Sequence, residues 1–309
     1  MAQHSVITLA LDDDPMTTPP LHIAVLGTGM MGGPIARRLQ KAGHRVHAWN
    51  RTRARAEPLA DDGIAVHNTA AQAVKDADVV ISLLENGPVV GQVLFDLGTA
   101  QAMRKGTLFI DMASIQPREA RDHAARLGEM GIAHLDAPVS GGTVGAENGT
   151  LAIMVGGRAE DFSRAQSVFE RCGRATHVGP HGAGQLTKLA NQMIVGITIG
   201  AVAEALLFAA KGGADMTKVR EAIQGGFADS RILQLHGQRM VERDFAPRGR
   251  MAVQLKDMRN ALVTASEIGF DAPVTALFEQ LYAQGVDHGL GELDHSGLFV
   301  ELASRNAMQ

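Results

Sequence analysis

Four polar side chains near the middle of the chain have a spacing that places them on one side of a helix. They are Gln185, Lys188, Asn191 and Gln192. Residues three or four positions apart in a helix share a face, and an uninterrupted apolar stretch follows them. An ammonium group beside carboxamides, where a polar helix start leads into an apolar body, predicts one wall of an active site.

A second candidate site is a glycine-rich turn near the amino terminus. The segment Gly27–Gly32 has the pattern G-x-G-x-x-G, between a short apolar run, His22–Leu26, and a stretch with helical spacing, Pro34–Ala42. In that setting the glycines allow the backbone to turn tightly and to approach a pyrophosphate at the start of the helix. The pattern predicts a dinucleotide site. Its residues are Gly27, Gly29, Met30, Met31 and Gly32.

The residues that follow the next predicted strand, Arg45–Trp49, indicate which dinucleotide binds. NAD sites tend to carry Asp or Glu here to hold the ribose hydroxyls, whereas NADP sites lack that charge and use Arg for the phosphate. The segment in this chain is Asn50-Arg51-Thr52. Arg51 can pair with a phosphate or stack on adenine, and both neighbours can donate hydrogen bonds to it. We favour NADPH over NADH; the alternative is that Arg51 is only a solvated charge.

Other candidate residues lie where predicted strands end. The strands Asp78–Leu84 and Thr107–Asp111 end near Leu84 and Ser114, at the edge of a doubly wound sheet that faces its ligand. A third polar segment offers one hydroxyl and unhindered backbone amides, which suit a carboxylate, although an ordinary glycine-rich turn has the same composition. It consists of Ser140, Gly141 and Gly142.

The order of predicted elements indicates an α/β fold with two domains. Strands and helices alternate as far as residue 178, and period-3.6 apolar patterns alone follow residue 213. We predict a Rossmann-type doubly wound sheet domain over residues 21–182 and an all-helical domain over residues 183–309. A loose extension, residues 1–20, precedes them. A long helix, residues 184–211, joins the two domains and spans roughly 40 Å.

The long helix is predicted to be buried on several sides, because its later turns are apolar nearly all round. A membrane span is the competing interpretation. Lys188, Thr198 and Glu204 interrupt the apolar run, and we therefore predict a core helix and no contact with a membrane.

Composition excludes several classes of protein. The 309-residue chain is 45% hydrophobic with a net charge of −4 and no basic block, which argues against a nucleic-acid partner. Its single cysteine, Cys172, excludes a disulfide framework, and no signal peptide is recognisable, so we expect a cytoplasmic protein. The twelve histidines show no metal-ligand spacing. Asp294-His295 is interpreted as a hydrogen-bonded turn, and no metal site is predicted.

Four motifs, in this order along the chain, resemble those of the β-hydroxyacid dehydrogenase family. They are the glycine turn Gly27–Gly32, the segment Asp136–Gly142, the segment Gly184–Gln192, and Lys256-Asp257. Within the family, the segments 188–194, 225–233 and 293–296 are similar to the branch that reduces tartronate semialdehyde. The resemblance covers the chain from about residue 22 to near its end.

The resemblance implies a role for each candidate residue. Lys188 would be the general acid that protonates an alkoxide formed by hydride transfer to an aldehyde, and Asn191 would position Lys188 or the substrate. Ser140, Gly141 and Gly142 would bind the substrate carboxylate. Lys256 would contact substrate or cofactor from the second domain, and Ser114 would lie beside the nicotinamide.

The resemblance also leaves alternatives open. The nearest are a 3-hydroxyisobutyrate dehydrogenase and a broad semialdehyde reductase of the same family. An imine reductase is a second alternative, although that related group usually lacks the catalytic lysine. A non-enzymatic binding module is expected to carry extra domains or a replaced lysine, and this chain has neither. The family's assemblies imply a homodimer or homotetramer.

Overall fold

The computed structural model describes residues 19–308, in which a sheet with helices on both faces is followed by helices alone. This arrangement confirms the predicted fold class. The proposed amino-terminal extension lies outside the described residues except for positions 19 and 20.

The sheet has the strand order of a doubly wound fold. Its described strands are β1 His22–Leu26, β2 Arg45–Trp49, β3 Ala65–Val66, β4 Val79–Ser82, β5 Leu108–Asp111, β6 Ala133–Asp136, β7 Val139–Ser140, β8 Leu151–Gly157 and β9 Gly173–Gly179. The parallel part runs β3-β2-β1-β4-β5-β6. β8 pairs antiparallel with β6 and β7 and parallel with β9. The order reverses next to β1, which is where such sheets bind ligands.

The strands are short apolar runs because both faces of the parallel sheet are covered. In β1, Ile23 and Val25 join one core cluster, and Ala24 and Leu26 join the cluster on the opposite face. The helices of this half are α1 Gly32–Lys41, α2 Ala70–Val74, α3 Gly87–Gly91, α4 Thr99–Ala102, α5 Pro117–Glu129, α6 Gly142–Asn148, α7 Ala159–Arg164 and α8 Gln166–Cys172. Cys172 is buried in the first cluster, and burial raises its pKa to about 12.

The second half of the chain forms helices around one long central helix. They are α9 Ala183–Lys211, α10 Met216–Ile223, α11 Arg231–Glu242, α12 Met251–Glu267, α13 Pro273–Gly285 and α14 Leu298–Arg305. The core includes Ile199, Leu206, Tyr282 and Phe299. Tyr282 is fully buried and its hydroxyl donates to the carbonyl oxygen of Gly196 at 3.2 Å. α9 also packs on β8 and β9, so it connects the sheet to the helical half.

The burial of α9 differs from the prediction. One side is open along the whole helix, where Ile194 is 67% exposed and Phe208 is 81% exposed. By length and composition alone, the helix could also cross a membrane. The polar residues within it therefore do not exclude a membrane span, contrary to the prediction. Its packing against β8, α11, α12 and α14 is that of a domain's central helix.

Several short helical elements complete the first half of the chain. α7 and α8 meet at Ala165. α3 is followed by a π-helical turn, Gln92–Asp96. Short elements α4, α6 and α14 were not predicted, because fewer than about three helical turns give little periodicity.

Candidate active site

The glycine turn between β1 and α1 has the backbone geometry that a phosphate-binding loop needs. Gly27 has a φ of +95°, and a Cβ there would lie 2.5 Å from the carbonyl oxygen of Leu83. A Cβ on Gly32 would collide with the carbonyl oxygen of Gly27, whereas a Cβ on Gly29 would meet nothing within 4 Å. Gly27 and Gly32 are therefore required by the turn itself. The open space at Gly29 fits the approach of a pyrophosphate to the start of α1.

The segment after β2 is tied to this turn by Asn50. The Asn50 side-chain oxygen accepts a hydrogen bond from the Thr28 amide at 3.1 Å, and its amide nitrogen donates to the Thr52 carbonyl at 2.9 Å. The carboxamide thus holds the two loops together, a role that its sequence context did not indicate. Arg51 and Thr52 are exposed beside it. Arg51 forms no hydrogen bond or ion pair within residues 19–308 that would compete with a phosphate.

The remaining predicted cofactor residues surround the same edge of the sheet. Met30 is exposed and Met31 half-buried immediately before α1. Leu84 follows β4 and Ser114 follows β5, and both are half-buried. The carboxyl ends of these adjacent parallel strands therefore place the two residues on the side where the glycine turn opens.

The Ser-Gly-Gly segment lies between β7 and α6. Ser140 ends β7 and is half-buried, while Gly141 and Gly142 have φ values of +140° and +65° and are exposed. A Cβ on Gly142 would meet nothing within 4 Å. The amides at this turn are therefore sterically accessible. The structure does not join them to the Lys188 group by a direct hydrogen bond among the described side chains.

The start of α9 is fixed by two buried polar residues. The Asp136 carboxylate, at the end of β6, accepts hydrogen bonds from the amides of Gly182 at 2.8 Å and Gln185 at 2.9 Å. The Gln185 side chain accepts from the Ile115 amide at 3.0 Å and donates to the Ala113 carbonyl at 2.8 Å. Gln185 is fully buried. It positions the loop that carries Ser114 and is not part of an exposed active-site wall.

Lys188 is the centre of a hydrogen-bonded group that spans α9 and α12. Its Nζ donates to Oε1 of Gln192 at 3.0 Å, and the Asn191 amide nitrogen donates to the same oxygen at 2.9 Å. Gln192 Nε2 donates to the Asp257 carboxylate at 2.7 Å. The Lys256 ammonium lies 3.2 Å from the other carboxylate oxygen. The predicted residues Lys188, Asn191 and Lys256 are thus brought together through Gln192 and Asp257.

Burial and charge affect the acidity of Lys188. The residue is only 8% exposed, and burial is the main cause that lowers its pKa. The Asp257 carboxylate opposes this shift by favouring the ammonium, and the nearby Lys256 adds to it. The net effect is a lowered pKa, so Lys188 gives up its proton more readily than a solvated lysine, although Asp257 favours the ammonium.

Gln254 was not among the predicted site residues, and Gln192 and Asp257 were predicted only as members of the α9 wall and of the Lys256-Asp257 motif, without a role of their own. Gln254 donates to the Gln192 carbonyl at 3.0 Å from the same helix as Asp257. The spacing of Lys188 and Gln192, one helical turn apart, was a signal for Gln192. In the sequence, Asp257 appeared only as part of the Lys256-Asp257 motif; its side chain is 2% exposed.

The structure also brings together two groups of potential metal ligands, which sequence spacing did not reveal. Among the described residues they are His134, Asp136 and His181, and His236, Asp294 and His295. In the second group Asp294 accepts from the Ser296 amide and hydroxyl and from the Gly249 amide. Asp294-His295 therefore does form a hydrogen-bonded turn, as predicted.

The chain matches two family models and several known proteins over most of its length. Residues 22–180 match the NAD binding domain of 6-phosphogluconate dehydrogenase. Residues 182–302 match the family described as NAD-binding of NADP-dependent 3-hydroxyisobutyrate dehydrogenase. The chain is 42% identical over 284 residues to 2-hydroxy-3-oxopropionate reductase of Escherichia coli strain K12, covering 90% of this chain and 96% of that protein.

Solved structures give the same picture. A Mycobacterium tuberculosis 3-hydroxyisobutyrate dehydrogenase, solved with L-serine, is 34% identical with a TM-score of 0.85, and the match covers 92% of this chain and 99% of that chain. An imine reductase from Pseudomonas sp. is 21% identical with a TM-score of 0.62, covering 92% of this chain and 99% of that chain. The second likeness concerns the fold alone.

Proposed function

Because the chain belongs to the β-hydroxyacid dehydrogenase family of NAD(P)-dependent oxidoreductases that act on CH–OH groups, we propose that it reduces tartronate semialdehyde to glycerate with NADPH. The observation that carries the proposal is the buried Lys188, held by Gln192 and Asp257. The 42% identity to 2-hydroxy-3-oxopropionate reductase supports the choice of substrate.

Each polar group has a task in this reaction. A reduced nicotinamide bound at the glycine turn would supply the hydride. Lys188 donates a proton to the aldehyde oxygen as negative charge forms on it, and its ammonium stabilises that charge in a site with little water. Asn191 and Gln192 restrict the position of the Lys188 Nζ. The amides and hydroxyl of Ser140, Gly141 and Gly142 would bind the substrate carboxylate.

The proposal is tested by measuring the oxidation of NADPH and NADH with three aldehydes in parallel: tartronate semialdehyde, methylmalonate semialdehyde and succinic semialdehyde. A clear preference for the first with NADPH is expected. Faster turnover of another aldehyde would favour the 3-hydroxyisobutyrate dehydrogenase or broad semialdehyde reductase alternative. No turnover with any aldehyde, but reduction of a cyclic imine, would favour an imine reductase, against which the presence of Lys188 argues.

We expect Arg51 to distinguish the two cofactors. Arg51→Ala should weaken NADPH binding by about 10- to 100-fold, because a charge-assisted hydrogen bond to the 2′-phosphate contributes about 1.5–3 kcal/mol. NADH binding should change little. Fluorescence titration of both cofactors measures this difference. Arg55→Ala, an exposed arginine of the following turn, is the matched control, and equal losses for both cofactors would contradict the assignment.

The exposed side of α9 supports self-association, as a homodimer or homotetramer. Ile194 and Phe208 lie on one face of the helix, with Leu186 at its start, and large exposed apolar patches mark contact surfaces. We propose that a second copy of this chain covers this face. We also propose that the enzyme is cytoplasmic.

The double substitution Ile194→Glu and Phe208→Glu should convert the assembly to monomers, because burying two carboxylates in an apolar contact is unfavourable. Light scattering coupled to gel filtration measures the mass. Leu97→Glu, an exposed apolar position in the first domain, is the control. A monomeric wild-type protein, or an unchanged mass of the double variant, would contradict the assignment.

A further inference from the structure

A buried group of two imidazoles and one carboxylate lies beside the start of α9, outside the proposed active site. His134 and Asp136 are two residues apart in β6 and therefore point to the same face of the sheet. His181 lies two residues before the first residue of α9, and its ring lies 5.5 Å from that of His134, centre to centre. One potential ligand atom from each of the three side chains lies within 4.8 Å of the others.

The nitrogen atoms of this group lack partners that such burial normally requires. His134 is 2% exposed, and among residues 19–308 neither of its ring nitrogens has a hydrogen-bond partner. Nδ1 of His181 is likewise buried and unpartnered in that part of the chain. Buried polar atoms are nearly always paired with protein, water or an ion. A bound ligand that accepts electron pairs from nitrogen would satisfy both rings at once.

The negative charge of the Asp136 carboxylate indicates that this ligand is a cation. Asp136 accepts one backbone amide on each oxygen, and a carboxylate has further lone pairs available. These amides fix its orientation. The positive end of α9 disfavours a cation here, and the negative charge of Asp136 offsets that effect. Two imidazoles with one carboxylate are a ligand set typical of zinc and related transition metals.

The second histidine–aspartate group, His236, Asp294 and His295, differs from the first because it already contains a protein cation. There the guanidinium of Arg239 already lies 3.2 Å from the Asp294 carboxylate, and His236 lies 3.5 Å from the same oxygen. A cation from the protein therefore occupies the position that a metal would take. No arginine or lysine is ion-paired with Asp136 in the described part of the chain.

We propose that His134, Asp136 and His181 form a binding site for a divalent transition-metal ion, for which Zn²⁺ is the probe. The ion would connect β6 to the segment that begins α9. Ligand atoms that share a tetrahedral zinc ion stand about 3.3 Å apart, so small rotations of the two rings would complete the site. An open pocket lined by His134, His181 and Glu160 provides a path for the ion from solvent.

The test is calorimetric titration of Zn²⁺ into metal-stripped, tag-free full-length protein. We expect one site that requires His134, with affinity lost by on the order of 100-fold in His134→Phe. Phenylalanine keeps the stacking of this ring on Phe109 and removes both nitrogens. His181→Ala, at a half-buried position, should cause a comparable loss. His295→Phe, in the group already occupied by Arg239, should leave the affinity unchanged.

Circular dichroism of each variant establishes that it is folded before its affinity is compared. Crystals soaked in Zn²⁺ should give an anomalous difference peak between the three side chains. The proposal is overturned if folded wild-type protein binds no Zn²⁺, if His134→Phe binds it as tightly as wild type, or if the loss follows His295→Phe. Any of these results would leave an ordered water as the partner of the buried rings.

Discussion

Lys188→Ala should lower kcat/KM for aldehyde reduction by about 10³-fold or more, while NADPH binding stays close to that of the wild-type protein. A general acid contributes roughly 10²- to 10⁴-fold to a rate, and the lost ammonium also removes charge stabilisation of the developing alkoxide. The glycine turn and the Asn50 contacts do not include Lys188, so the cofactor site should be intact. Stopped-flow reduction and NADPH fluorescence measure the two effects separately.

Two companion variants make the result specific to the ammonium group. Lys188→Met keeps most of the buried side-chain volume and should be as inactive as the alanine variant. Lys211→Ala removes an exposed lysine at the other end of the same helix, whose ammonium donates a hydrogen bond to the Asn306 carbonyl, and should retain full activity. Normal turnover by either Lys188 variant would end the proposed mechanism.

Asp257→Asn should be the second most damaging change, with kcat/KM falling by about 10²-fold. One carboxylate oxygen accepts from Nε2 of Gln192 at 2.7 Å and the other lies 3.2 Å from the Lys256 ammonium. Asparagine has only one acceptor oxygen and no charge, so it cannot hold both groups, and Gln192 would position Lys188 less firmly. The pH profile should also change. Asp257 raises the pKa of Lys188, and its neutralisation should lower that pKa. The alkaline decline in the reduction rate should then begin at lower pH.

Glu279→Gln is the matched control for this prediction. Glu279 pairs with Arg259 of α12 at 2.8 Å, so the substitution removes a carboxylate that pairs with the same helix. Its pH profile should match that of wild type. An Asp257→Asn profile that kept the wild-type alkaline limb while activity fell would mean that Asp257 acts only through packing.

Much of the cofactor half follows from local sequence. β1, β2 and the glycine turn could be predicted within a residue or two, because the apolar runs and the G-x-G-x-x-G spacing are themselves the constraints on the backbone. Gly27 and Gly32 are examples: each is required by contacts within a few residues or with the neighbouring strand. The domain order could also be predicted, since a change from alternating to purely helical patterns is visible along the chain.

The roles of the polar residues on α9 could not be predicted in this way. The helical spacing places Gln185 and Gln192 on the same face of α9. It gives only the direction of each side chain around the helix axis, so it could not distinguish the role of one residue from that of the other. The tertiary structure buries Gln185 against the Ala113–Ile115 segment and makes Gln192 the link to Asp257, which lies 65 residues away. Nothing in the local pattern distinguishes these two environments.

In the whole protein, features set by residues close together in the sequence differ in the same way from features set by contacts between distant elements. The sequence by itself determined the family, the sheet with its glycine turn, and the lysine proposed as acid, because these depend on short spacings within single elements. Only the tertiary structure decided which carboxylate supports Lys188, that one side of α9 is open, and that His134 and His181 meet at Asp136. Those contacts depend on how distant elements pack, and the periodicity of one element carries no information about its neighbour.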